Sequence, residues 1–145
     1  MKPTQIYAAT PICAKSYMLL TAYSNWRISL PMEHTTLFHI LSDETRLRAL
    51  ALIHASGELC ICELVHALDL PQPKISRHMA AMRDADIVTP RRDAQWVYYA
   101  ANPALPDWQQ QVLSAAMLSL SGHETTTADL ARLKTMANRP TRCAP

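Results

Sequence analysis

Glycine is almost missing from this chain: two residues in 145. A glycine-rich loop that cradles phosphate needs several glycines in a short span, so that class of nucleotide site is excluded. Long hydrophobic runs are also absent; no stretch of about 18 apolar residues exists, and no membrane span is expected. The N-terminus lacks the basic-then-apolar-then-small pattern of an export signal, because Lys15, Asn25 and Arg27 interrupt it. No nucleophile elbow, carboxylate pair or His-x-x-x-His spacing occurs, and the Cys-x-x-Cys of thiol oxidoreductases is missing. No catalytic cofactor is expected. Formal net charge is only +2, so overall charge does not announce a polyanionic partner.

What is present is a well-patterned chain. Hydrophobic residues make up 49% of it, enough for one packed domain with an arm or tail. The charge is unevenly spread. Residues 33–70 carry six acids (Glu33, Asp43, Glu44, Glu58, Glu63, Asp69) against Arg46 and Arg48. Residues 71–100 carry five bases (Lys74, Arg77, Arg83, Arg91, Arg92) against Asp84, Asp86 and Asp93. A local basic face is the footprint expected of a DNA contact. Four cysteines in a chain without an export signal belong in the reducing cytoplasm, where metal or redox roles outrank structural disulfides.

Three segments are expected. Residues 1–31 show no sustained period, are punctuated by Pro3, Pro11 and Pro31, and read as a poorly ordered extension. Patterned sequence begins at Met32, which is a candidate translation start. Residues 32–121 form the folded domain. Residues 122–145 read as a weakly ordered tail, with Leu130, Leu133 and Met136 able to make one more short helix.

Within the domain the apolar period is helical. Leu37, Ile40 and Leu41 mark a first helix, and Ser42-Asp43 caps a second whose inner face holds Leu47, Leu50 and Ile53 or Leu47 and Ala51. Gly57 ends that helix. Cys60 to Leu68 reads as a third, with Leu64, Val65 and Leu68 inward. After the turn Asp69–Pro73, a fourth runs to about Asp86 with Ile75, Met79 and Met82 facing the core. The period then changes. Residues 87–91 and 95–99 are β-rich and separated by Arg92-Asp93-Ala94, where Asp93 is the residue best suited to a positive φ. A last long helix spans about Asp107 to Ser121. The fold class is therefore mainly α with a β-hairpin wing, a winged helix-turn-helix.

The fourth helix divides as a major-groove reader must. Ile75 and Met79 anchor one face, while Gln72, Lys74, Ser76, Arg77 and His78 offer donors on the other. Arg77 suits guanine, Gln72 adenine, and Lys74 and Ser76 phosphate or base edges. Arg91, Arg92 and Gln95 lie near the wing tip, within reach of phosphates or a minor groove. The two thiols Cys60 and Cys62 sit just before this unit, near a helix N-terminus that favours thiolate, and thiolates select soft ions. On an ideal helix, positions i and i+2 differ by roughly 200° and do not face each other. One ion would hold both sulfurs only by distorting the helix start.

Taken together, residues 37–47, Glu58-Leu59-Cys60-Ile61-Cys62-Glu63-Leu64, residues 72–78 and Trp96-Val97-Tyr98-Tyr99 resemble the ArsR/SmtB family of metalloregulatory repressors, and within it the arsenic-responsive members. The resemblance covers about residues 33–120. It implies a homodimer formed through the first and last helices, bound to double-stranded operator DNA ahead of a resistance operon. Arsenite or antimonite captured by Cys60 and Cys62 would release it. Cadmium, lead or thiol oxidation is the alternative inducer on the same fold. Relatives often carry a third cysteine three residues after the second. Here Val65 stands there, which leaves Cys13 or Cys143 as the candidate third ligand, or an exogenous thiol. The zinc-type site of some relatives' last helix is not matched, since Gln109 stands where its histidine would be.

Overall fold

The computed structural model describes residues 32–140. The expected N-terminal extension, and with it Cys13 and Cys143, lies outside the described residues. The elements run α1 (Met32–Leu41), α2 (Glu44–Ser56), β1 (Glu58–Cys60), α3 (Ile61–Leu68), α4 (Gln72–Asp84), β2 (Val88–Asp93), β3 (Trp96–Ala101), α5 (Asp107–Leu120) and α6 (Glu124–Lys134). Among the described residues the three strands form one antiparallel sheet in the order β1-β3-β2. None of the helices described is long and apolar enough to cross a membrane.

Local signals start and stop these elements where the chain provides them. Asp43 stays extended ahead of α2, and its carboxylate accepts the Arg46 N–H at 3.0 Å. Arg46, itself buried, donates from its guanidinium to the carbonyls of Ile40 (2.7 Å) and His39 (2.6 Å), closing the open end of α1. Gly57 at φ +82° ends α2 and turns the chain into β1, a conformation that costs other L-residues strain. Asp69 takes the left-handed conformation after α3 and Leu70 turns back toward the core.

The core lies where the helices meet the sheet. Leu37, Leu50, Leu52, Ile53, Leu59, Leu64, Leu68, Ile75, Met79, Met82 and Ile87 are all buried in one cluster. Each such side chain contributes about 1.5–3 kcal/mol through burial. The inward residues expected for α1, α3 and α4 are largely those found. For α2 the expected stripe is too narrow, since five successive residues, Ala49 to Ile53, are buried. Helix α2 is the central helix, covered by neighbours on several sides.

Three expectations are corrected. Cys60 is not the first residue of a helix. It is the last residue of a short strand, paired with Tyr98 of β3. The wing strands are longer than the hairpin expected, so Asp93 pairs with Trp96 and the turn has two residues, Ala94 and Gln95. The positive φ falls on Ala94, at +50°, and not on Asp93, which the ladder holds extended. Finally, residues 124–134, expected within a weakly ordered tail able to make one more short helix, do make that helix and pack it firmly. They form α6, with Thr126, Asp129 and Leu133 buried.

Candidate nucleic-acid interface and cysteine pair

Helices α3 and α4 form the helix-turn-helix. Pro71 precedes α4 and accepts the N–H groups of Lys74 (3.0 Å) and Ile75 (3.2 Å), so the first turn forms despite the prolines. Ile75, Met79 and Met82 fasten α4 to the core. Gln72 and Arg77 are exposed, and Lys74 and Ser76 are half-buried. His78 departs from this face. Its Nδ1 lies 3.6 Å from Asp43 Oδ1, against the N-terminus of α2. Burial is the largest influence on its imidazole and lowers its pKa; Asp43 opposes this, while Arg46, Lys74 and Arg77 reinforce it. Asp43 is itself lowered: burial pulls it up, but the Arg46 N–H, the His78 and Arg46 charges and the Thr45 N–H outweigh that.

On the wing, Arg92 and Gln95 are exposed. Arg91 is engaged within the molecule. Its guanidinium donates to both Glu58 oxygens (2.7 and 3.1 Å) and to Asp93 (3.2 Å), and stands 5.2 Å from the centre of the Tyr98 ring. The Glu58 bond, then that of Asp93, pushes its pKa above the ordinary arginine value. Arg91 therefore ties the wing to β1 and is only half exposed. Tyr98 and Tyr99 are buried in the sheet.

The two cysteines meet at the junction of β1 and α3. Cys60 is extended (φ −86°, ψ 168°) and caps α3, and Cys62 stands in its first turn. Their Cα atoms are 5.5 Å apart and the sulfurs are joined in a disulfide. The expected helix distortion is thus not needed. Pairing with Tyr98 holds Cys60 off the helical path, and that places its sulfur beside that of Cys62 while α3 stays regular. Cys60 is buried and Cys62 is partly accessible.

Glu63 is a buried neighbour of this pair that sequence reasoning did not single out. It is fully buried, and one carboxylate oxygen accepts the Cys60 N–H at 2.8 Å. The Cys60-x-x-Glu63 spacing is that of a capping box with cysteine in the usual serine position, a signal available in the sequence. The other Glu63 oxygen accepts Arg139 Nε at 2.5 Å. Arg139 comes from the segment that follows α6, turned back by Asn138 at φ +58°.

Helix α6 is clamped on α2 and α3. The buried Asp129 receives Arg48 through two bonds of 2.8 Å and also binds Arg132. The Asp129 bond, set against burial, raises the pKa of Arg48. Arg132 Nε donates to the Ala67 carbonyl at 2.7 Å, and His66 Nε2 lies 3.0 Å from the Arg132 carbonyl oxygen. The cysteine pair, helix α3 and helix α6 are therefore one packed body.

Residues 43–89, which include the cysteine pair and the whole helix-turn-helix, match the family described as bacterial regulatory protein, arsR family. The arsenic resistance transcriptional regulator ArsR2 of Pseudomonas putida is 50% identical over 106 residues, covering 72% of this chain and 90% of that protein. This chain belongs to the ArsR family. A second Pseudomonas putida regulator, the arsenic resistance transcriptional regulator ArsR1, is 47% identical over 103 residues, 71% of this chain and 79% of the relative. Among solved structures, HlyU of Vibrio cholerae superposes with a TM-score of 0.52 at 26% identity, covering 63% of this chain and 92% of that one. The ArsR-family chain is accordingly a DNA-binding transcriptional regulator with a winged helix-turn-helix, and not an enzyme.

Proposed function

We propose that this ArsR-family chain is a cytoplasmic, homodimeric repressor of an arsenic-resistance operon, released from its operator when arsenite or antimonite is captured by Cys60 and Cys62. One observation carries the reading. The sulfurs lie side by side at the point where β1 passes into α3, and both elements lead to DNA-facing parts. Regulators named for arsenic resistance that are 47% and 50% identical to it support the same inducer class.

The coupling follows two rigid routes. Helix α3 leads through the Asp69–Pro71 turn into α4, the recognition helix. Strand β1 is laddered to β3, and Glu58 grips Arg91 on β2, so a change in spacing at Cys60 also reaches the wing. Spanning the sulfurs with an ion moves Cys60 against Cys62 and biases both routes. By linkage, DNA binding weakens ion binding to the same degree. Gln72, Lys74, Ser76, Arg77, Arg92 and Gln95 make the DNA face. Arg91 acts as a brace and His78 as packing beside Asp43. Phe38 on α1 and Leu118 on α5, exposed at 54% and 76%, mark the face where a second copy packs.

The test follows the protein's complex with its own upstream DNA by fluorescence anisotropy, in phosphine-reduced buffer, as arsenite is added. Release at low micromolar arsenite is the expected result, and Cys60→Ser or Cys62→Ser should bind DNA yet ignore arsenite. Normal induction of those variants would overturn the site. A second reading is thiol oxidation, favoured by the sulfurs being joined in the structure. It requires release by peroxide with no arsenite present.

A further inference from the structure

Helix α3 carries one of the two paired cysteines and is capped by the other, yet it is only 8 residues long. A helix that short does not hold itself together in water, so its ends depend on partners from outside. The stretch that begins with α6 reaches α3 at two points. Arg132 Nε donates to the Ala67 carbonyl near the end of α3, at 2.7 Å. Arg139 Nε donates to Glu63 near its start, at 2.5 Å, while the other Glu63 oxygen accepts the Cys60 N–H at 2.8 Å. The Glu63 side chain is fully buried, and that of Arg139 is 36% exposed. The ladder to Tyr98 holds Cys60 from the strand side, and the Glu63 bond holds it from the helix side.

Resting on the arsenical reading above, we propose that Arg139 is a positioning residue for the inducer site: through Glu63 it fixes the Cys60 backbone, and so sets the spacing of the two sulfurs that capture the ion. The physical reason is the burial of Glu63. A carboxylate taken wholly out of water needs a compensating cation, and removing that cation leaves a buried charge unpaired. Without Arg139 the Glu63 side chain turns toward solvent and drops the Cys60 N–H. Cys60 then loses its bond to the first turn of α3, that turn frays, and Cys62 within it moves independently of Cys60.

Two sulfurs held at one spacing capture an ion without an ordering cost, whereas two that wander must be ordered first. The DNA face does not share this dependence. Helix α4 is fastened to the core separately, by Ile75, Met79 and Met82. Loss of Arg139 therefore weakens inducer capture and spares operator binding.

The full-length protein, reduced with a phosphine, is titrated with arsenite and followed by the ultraviolet absorption of arsenic–thiolate bonds. Operator affinity is read by anisotropy on the same samples before arsenite is added. Arg139→Ala should weaken arsenite binding about tenfold, the low end of the range for groups that orient a metal ligand, because Arg139 is partly solvated. Its operator affinity should stay at the wild-type value, and Arg139→Lys should recover most of the arsenite affinity. Glu63→Gln keeps an acceptor for the Cys60 N–H without the charge, so Arg139→Ala should cost little more in that background. Full arsenite affinity in Arg139→Ala, equal losses of arsenite and operator affinity, no recovery in Arg139→Lys, or an undiminished loss in the Glu63→Gln background would each overturn the proposal while leaving the Cys60–Cys62 site standing. Arsenite uptake that survives Cys60→Ser unweakened, or no uptake by the wild type, would overturn the arsenical reading and this proposal together.

Discussion

Arg77 and His78 are adjacent on α4 and do different work. Arg77 is exposed near the start of the recognition helix, where a bidentate pair with guanine is within its chemistry. Arg77→Ala should lower operator affinity by about 5- to 150-fold without changing the melting temperature, read by anisotropy and thermal unfolding. An unchanged affinity would remove Arg77 from the interface. His78 faces Asp43, and its folded pKa lies below the ordinary 6.5. The unfolded chain then binds the proton first as pH falls. Stability is full above about pH 6.5 and declines as pH drops from there through the folded value. His78→Gln should flatten that part of a urea-midpoint profile between pH 7.5 and 5, and an unaltered slope would assign it to other groups.

Two elements carry strain or clamping that can be measured. The wing turn places Ala94 at φ +50°, the first of two central residues, where a side chain costs roughly 1–2 kcal/mol. Ala94→Gly relieves this and gives back part of it through unfolded-chain entropy, for a net gain of about 0.5–1 kcal/mol. Denaturant unfolding reads it directly; a loss would mean the turn depends on the methyl group. Helix α6 depends on Asp129, which gathers Arg48 and Arg132 at a buried position. Asp129→Ala removes the buried carboxylate from both guanidinium groups and leaves Arg48, among the described carboxylates, only its long 3.9 Å contact with exposed Glu44. Since both are partly solvated, the expected cost is about 2–3 kcal/mol, below the value for a fully buried pair. Amide exchange in α3 should rise with it, because Arg132 also binds the Ala67 carbonyl. If α3 exchange stays as in the wild type, α6 is a passenger and not a clamp.

At the scale of the molecule, α5 is under-covered for its composition. Met117 is its one buried residue, while Leu118 is 76% exposed. The His34–Trp108 ring stack, with centroids 4.2 Å apart, joins α1 to the start of α5, so the two helices present one surface. Leu118→Glu places a charge in that surface. If this surface is the proposed dimer interface, the substitution should convert the dimer to a monomer at micromolar concentration in analytical ultracentrifugation and weaken operator binding through the loss of the second half-site. A dimer that survives the change would move the interface elsewhere.

Periodicity alone identified α1, α3 and α4 and their buried faces, because a helix one turn deep in a core must repeat its apolar residues at three and four positions. The Cys60-x-Cys62 spacing, the donor-rich face of α4 and the β-rich hairpin were legible for the same reason: each is a pattern within a few residues. What tertiary structure alone decided are pairings between distant positions. Arg91 meets Glu58 across 33 residues, Arg139 meets Glu63 across 76, and Arg48 meets Asp129 across 81. No local period encodes such contacts. Cys60 is the sharpest case: its neighbours in sequence allow a helix, and only the ladder to Tyr98 holds it extended and brings the two sulfurs together. The sequence by itself determined which chemistry the chain possesses. The packing of β1, α3 and the C-terminal chain determined which of those groups face one another, because burial and long-range hydrogen bonding choose the backbone path that a short segment leaves open.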